Sequence, residues 1–210
     1  MEFIKSWKFM AIIVGVLCVV SLAGVIYGVA THEEPGFDPS MTFIADDVAH
    51  GRTRVPIDTC VSSYTSEDED GIGTPTSEHL GMVRSAGGII NQRVGFELLN
   101  VGPINRVGDI RPVACMIMVN VGVPQDVERD EGGGWAYRCH DSCCVDISNT
   151  GTPELASLVI QHELGHCLGL AHDDWEGSIM RRTQSETPDR EFPPRITDSD
   201  RDLLREAYLR

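Results

Sequence analysis

His162-Glu163-Leu164-Gly165-His166-Cys167-Leu168-Gly169-Leu170-Ala171-His172-Asp173 is the stretch on which the reading of this sequence turns. His162 and His166 are four residues apart, so on a helix their imidazoles leave one face about a turn apart. That spacing lets two ring nitrogens reach a single ion at about 2 Å each. Gly169, three residues past the second histidine, can adopt the positive φ that ends a helix and turns the chain. The turn brings His172 back toward the same point. Three neutral histidines leave one tetrahedral position open, a catalytic arrangement, whereas a structural zinc site is normally closed. Glu163 follows a ligand without having to bind metal itself. Its carboxylate is placed to take a proton from a zinc-activated water and to pass it to a leaving amine. One catalytic zinc ion is expected.

A bare HExxH pattern arises by accident often enough to carry little weight. The extended pattern HExxHxxGxxH fixes three histidines, a glutamate and a glycine. A chance match in such a chain is on the order of one in 100,000 from ordinary residue frequencies. That weighs against the alternative of an exposed helix that happens to be rich in histidine.

Upstream of the ligands, Thr152 reads as an N-cap, Pro153 suits the first helical position, and Glu154 favours the positive helix end. Leu155, Leu158, Val159, His162 and His166 then recur at helical spacing. A second helix is expected at the C-terminus, capped by Thr197, with acids at Asp198 and Asp200. Its buried stripe is Leu203, Leu204, Ala207 and Tyr208. Strands are expected at 54–61, 94–101, 113–121, 135–138 and 145–148. The run 113–121 is apolar almost throughout, as for a strand covered on both faces. Residues 78–92 carry a weak helical pattern interrupted by Gly87 and Gly88, and Gly132-Gly133-Gly134 reads as a flexible turn. The acidic stretch 66–73 lacks the spaced ligands of a calcium loop and reads as solvated. A helix and strands followed by two C-terminal helices predict an α+β domain with a mixed sheet.

The chain has 210 residues, 41% of them hydrophobic, and a net charge of -15. That length suits one domain plus an appendage. The acidic balance, with no basic stripe, excludes nucleic acid as a partner. Lys5 and Lys8 precede an uncharged, largely apolar run over 9–30, followed at once by His32, Glu33 and Glu34. As a helix that run would rise about 33 Å, enough to cross a membrane core. The expected organisation is a cytoplasmic segment 1–8, an anchor 9–30, a stalk 31–53 and a catalytic body 54–210 outside the cytoplasm. The run could also be a cleaved signal peptide, since Gly28-Val29-Ala30 offers small residues, which would make the protein secreted. Its length favours the retained anchor. Six cysteines lie beyond it: Cys60, Cys115, Cys139, Cys143, Cys144 and Cys167. An even number in an exported domain is compatible with three disulfides, in any of 15 connectivities. A metal role for the cluster around Cys143 is disfavoured because no second pair stands at zinc-finger spacing.

The zinc-binding segment resembles the signature of the metzincin peptidases. Ser178-Ile179-Met180 is similar to that clan's Met-turn, and the closing stretch around Asp200 resembles the last helix of matrixins. The resemblance covers roughly residues 55–210. It implies a twisted sheet above the cleft, an active-site helix, and a lower subdomain that ends in the C-terminal helix. Met180 would then form an apolar floor beneath the ligands, and protein or peptide would be the substrate. Calcium would be usual for a matrixin relative, but no complete ligand set is present. Asp173 stands where matrixins have Ser and adamalysin-like enzymes have Asp. No tyrosine closely follows Met180, so the extra ligand of astacins is missing, and Cys60 does not sit in a cysteine-switch motif. Residues 135–138 would form the sheet edge beside the cleft, so Trp135 and Tyr137 are candidate substrate-binding residues. A zinc endopeptidase is expected. A zinc amidase acting on cell-wall peptides, or an idle zinc-stabilised binding module, are the alternatives. The intact Glu163 argues against the module, and activity on casein against short cell-wall peptides separates the two enzymes.

Overall fold

A computed structural model of the chain describes residues 36–64, 72–104, 115–124, 133–148, 152–175, 177–181 and 194–209. The chain divides into two units, Met1–Glu34 and Pro35–Arg210, and every described residue falls in the second. The expected anchor therefore lies outside the described residues. Among those that are described, no helix is long and apolar enough to cross a membrane.

The second unit is α+β. In chain order its elements are α1 (Phe43–Ala49), β1 (Ile57–Tyr64), β2 (Ile72–Gly73), α2 (Ser77–Val94), β3 (Leu99–Pro103), β4 (Ile117–Val123), β5 (Gly134–Cys139), β6 (Ser142–Ser148), α3 (Pro153–Cys167) and α4 (Asp198–Tyr208). The sheet is mixed. β4 pairs in parallel with β1 on one side and with β6 on the other. The far side of β1 takes β3 in parallel along Ile57–Val61 and β2 antiparallel at Ser63 and Tyr64. β5 folds back antiparallel on β6 and is the edge strand. Helices α2 and α3 pack on each other and on one face of this sheet. Ile57, Val61, Ile117, Val119, Val145 and Ile147 bury that face against Val83, Ile90, Ile160 and Leu164.

Several elements differ from the sequence expectation. The first strand starts at Ile57, after Pro56, and runs on to Tyr64. Helix α2 passes through Gly87 and Gly88 without a break. Gly87 is needed there: a Cβ at this position would stand 2.8 Å from Val101 Cγ2 of β3, so the missing side chain lets helix and sheet approach. Val94 ends that helix instead of opening a strand, and Gly95 follows it with φ 84°. Strand β4 is not covered alike on both faces. Asn120 lies on the outer one, bonded to Ser62 of β1 and to Asp146 of β6, so its middle carries a polar ladder. Within the expected stalk, α1 packs Ile44 into the core and Met41 is buried beside it. The acidic stretch 66–73 falls outside the described residues except for Ile72 and Gly73.

The expected caps are present. Thr152 accepts a hydrogen bond from Leu155 N–H at the start of α3. Thr197 and Asp200 form a reciprocal capping box at the start of α4. The buried Tyr208 of α4 donates its hydroxyl to Leu168 O at 3.1 Å, which fixes the C-terminal helix to the end of α3. Three disulfides use all six cysteines beyond residue 30: Cys60–Cys115, Cys139–Cys144 and Cys143–Cys167. The last one joins β6 to the final residue of α3.

Candidate metal centre

The far end of α3 carries His162, Glu163 and His166, one helical turn apart and close to the sheet edge. Past Cys167 the chain turns at Gly169, whose φ is 94°, a region that favours glycine. This turn returns His172 to the helix, as the spacing predicted. His166 Nε2 lies 3.1 Å from His162 Nε2 and 3.2 Å from His172 Nε2. All three ligand atoms fall within 4.8 Å of one another. Among the described residues this is the one group of metal-ligating side chains that converges in this way.

The outer hydrogen bonds decide which nitrogens face inward. His162 Nδ1 lies 2.6 Å from Ile179 O, and His166 Nδ1 lies 2.9 Å from Leu170 O. A carbonyl only accepts, so Nδ1 carries the proton in both rings and Nε2 presents a lone pair. Burial, reinforced by the neighbouring His166, holds His162 down to about 4. Burial likewise holds His166 down to about 4. Two lone pairs at 3.1 Å repel unless a cation lies between them. The edges of a tetrahedral zinc site are about 3.3–3.4 Å, given Zn–N bonds of about 2.0–2.1 Å. The donor set therefore fits zinc, with the carbonyls as orienting partners behind it.

Glu163, about 100° around the helix from His162, faces β5. It is buried, and the N–H of Ala136 donates to its carboxylate; desolvation outweighs that bond and pushes the acid up to about 7. Gly134, two residues earlier on the strand, leaves room for it. A Cβ there would come within 2.9 Å of Glu163 Cγ and 2.5 Å of Val159 Cγ1. The triple glycine expected as a flexible turn thus ends in a residue that the packing of Glu163 requires. Side chains alternate along a strand, so Trp135 and Tyr137 leave β5 on the face opposite Gly134 and Ala136. Tyr137 OH donates to Asp146 on that outer face, and Trp135 is 54% exposed. The backbone of β5, and not these two side chains, adjoins Glu163.

Met180 is fully buried, with its sulfur packed against Gly165 between the two helical histidines. Its carbonyl accepts from Asp173 N–H at 3.1 Å, and its N–H donates to Ser178 Oγ at 2.9 Å. The turn at Ser178-Ile179-Met180 thereby holds both the carbonyl behind His162 and the chain just past His172. Cys167, one residue after His166, is committed to its disulfide and is no ligand. His140 sits exposed in the β5–β6 turn.

A comparison with curated proteins finds no match. Residues 113–209 match the family model described as Matrixin, a peptidase family. Over that stretch, which runs from β4 through α4 and holds Glu163, Met180 and a histidine cluster fitted to zinc, the chain is similar to the matrixins.

Proposed function

We propose that this chain is a zinc-dependent endopeptidase in which Glu163 is the general base. The observation that carries the reading is the placement of Glu163: buried beside three converging histidines, and reaching the backbone of an edge strand. His162, His166 and His172 would hold the ion. When bound there, zinc supplies Lewis acidity that lowers the pKa of a water toward 7 and polarises a carbonyl. Glu163, held near 7 by burial, is matched to accept a proton from water at neutral pH and to deliver it to the leaving amine. Strand β5 offers its outer edge to an extended peptide, which would gain main-chain hydrogen bonds by adding as a further strand. The substrate class is accordingly an extended segment of protein.

Three disulfides support export to an oxidising compartment. We read 9–30 as a membrane anchor, with the catalytic body on the far side. Protease protection in sealed membranes tests that placement, and recovery of a shortened soluble chain would show cleavage instead.

The activity is tested by exposing a quenched-fluorescent peptide library to the purified chain, with Glu163→Ala in parallel. Turnover by the wild type alone supports both the peptidase and the base. If neither protein cleaves while zinc binds at one per chain, the endopeptidase gives way to the amidase, assayed on short cell-wall peptides, or to the binding module.

A further inference from the structure

The residues just ahead of α1 lie across the turn between the second and third histidines. Asp38 N–H donates to Gly169 O at 2.8 Å, and Ala171 N–H donates to Gly36 O at 2.9 Å. Between these bonds Phe37 forms an antiparallel bridge with Leu170. The Phe37 ring closes on Gly169, where a Cβ would stand 2.9 Å from Phe37 Cδ1. Gly169 thus serves twice, through its positive φ and through the space it leaves for the ring. Leu170 O is also the carbonyl that orients His166. One three-residue turn therefore fixes the second histidine's ring and carries the chain to the third. The end of α3 bonds the same turn as well, with His166 O accepting from Gly169 N–H at 2.8 Å and Gly165 O from Leu170 N–H at 2.9 Å.

We propose that residues 36–38 form a positioning strap for the metal centre, with Phe37 as its key, so that His166 and His172 keep their convergence only while the strap is docked. The proposal rests on the zinc-peptidase reading but concerns metal affinity, so the two can fail separately. A loose turn would leave Leu170 O free to move away from His166 Nδ1 and would let His172 sample positions outside the cluster. Partners that orient a ligand in this way are worth about 10- to 100-fold in metal affinity.

The test uses the full chain with Phe37→Ala, Phe37→Tyr and, as a control from the same N-terminal stretch, Phe43→Ala, whose ring stacks under Arg138. Zinc affinity is measured by competition with a chromogenic chelator, and circular dichroism of each metal-free variant reports folding. Phe37→Ala should bind zinc about 10- to 100-fold more weakly, while Phe37→Tyr and Phe43→Ala stay close to wild type. If Phe37→Ala does not fold, Phe37→Leu, apolar but shorter in reach, is read in the same way. Zinc affinity within twofold of wild type in a folded Phe37 variant overturns the strap, as does an equal loss in Phe43→Ala. Tight zinc binding by the wild type without peptide cleavage would sink the peptidase and leave the strap standing.

Discussion

Gly134 and Glu163 touch across the boundary between the edge strand β5 and helix α3: a Cβ on the glycine would stand 3.1 Å from Glu163 Oε1 and closer still to its Cγ. The two closest atoms, Val159 Cγ1 and Glu163 Cγ, lie near the roots of their side chains, so a methyl group there must displace Glu163, Val159 or the strand. Gly134→Ala should lower kcat/KM on the order of 100-fold through a misplaced base, with zinc affinity unchanged. Steady-state cleavage alongside zinc titration checks it. Unaltered turnover would mean that the strand yields instead of the carboxylate.

Gly165 stands in a similar relation to Met180, whose sulfur occupies the place of a side chain at 165. Gly165→Ala should cost about 1–3 kcal/mol from overpacking. Combining it with Met180→Ala should recover part of that loss, a coupling of about 0.5–3 kcal/mol in a double-mutant cycle by urea unfolding. Simple additivity of the two changes would show that the methionine does not fill this space in solution.

The metal-free protein should gain stability as pH rises from about 5 to 6.5. His162 and His166, held to about 4 in the fold against an ordinary 6.5, bind fewer protons folded than unfolded in that window. Their contribution is complete above 6.5 and is lost as pH falls toward 4. Glu163, raised to about 7 from 4.5, has the opposite sign, because its folded form retains a proton that the unfolded chain has released. Two histidines against one carboxylate leave a net rise that levels off near pH 7. Asp200, also raised by burial, shares the sign of Glu163 and acts at the acid end. Thermal midpoints of the chelated protein across this range measure the sum, and a falling trend would refute it.

Replacing both members of Cys143–Cys167 by alanine should lower stability by about 2–4 kcal/mol, the range for cross-links closing loops of this order. Both residues are fully buried and their Cα atoms lie 5.6 Å apart. Urea unfolding of the double variant against wild type gives the difference. A change below about 1 kcal/mol would mean that packing alone fixes the helix end against β6.

The parts of this fold legible in the sequence are those governed by neighbours a few residues away. The i, i+4 histidines, the glycine three residues on, the Thr152 cap before Pro153 and the box of Thr197 with Asp200 all rest on local geometry, and all stand where expected. What escaped were contacts between distant segments. Gly87 looks like a helix breaker until β3 is seen pressing on it, and Gly134 looks like slack in a turn until Glu163 is seen behind it. Phe37 gave no sign that it meets Gly169, because a lone aromatic between prolines has no periodicity to read. The pairing of the cysteines was equally hidden, since spacing does not determine which sulfurs meet. Strand β4 reads as apolar along its length, and only register with Ser62 and Asp146 reveals the polar row at Asn120.

All three disulfides end at or before Cys167. The histidine signature therefore straddles a seam: His162 and His166 belong to a covalently stapled body, whereas His172, Met180 and α4 lie on its unstapled side. Those later residues are held by the capping box, by Tyr208 at Leu168 O and by the bonds around the Gly169 turn. Heat or denaturant should peel this tail away first, and the third histidine would leave with it, together with Ile179 O and Leu170 O, the carbonyls that orient the other two rings. The chain would thus lose its metal grip in a partly opened form, well before the stapled sheet comes apart.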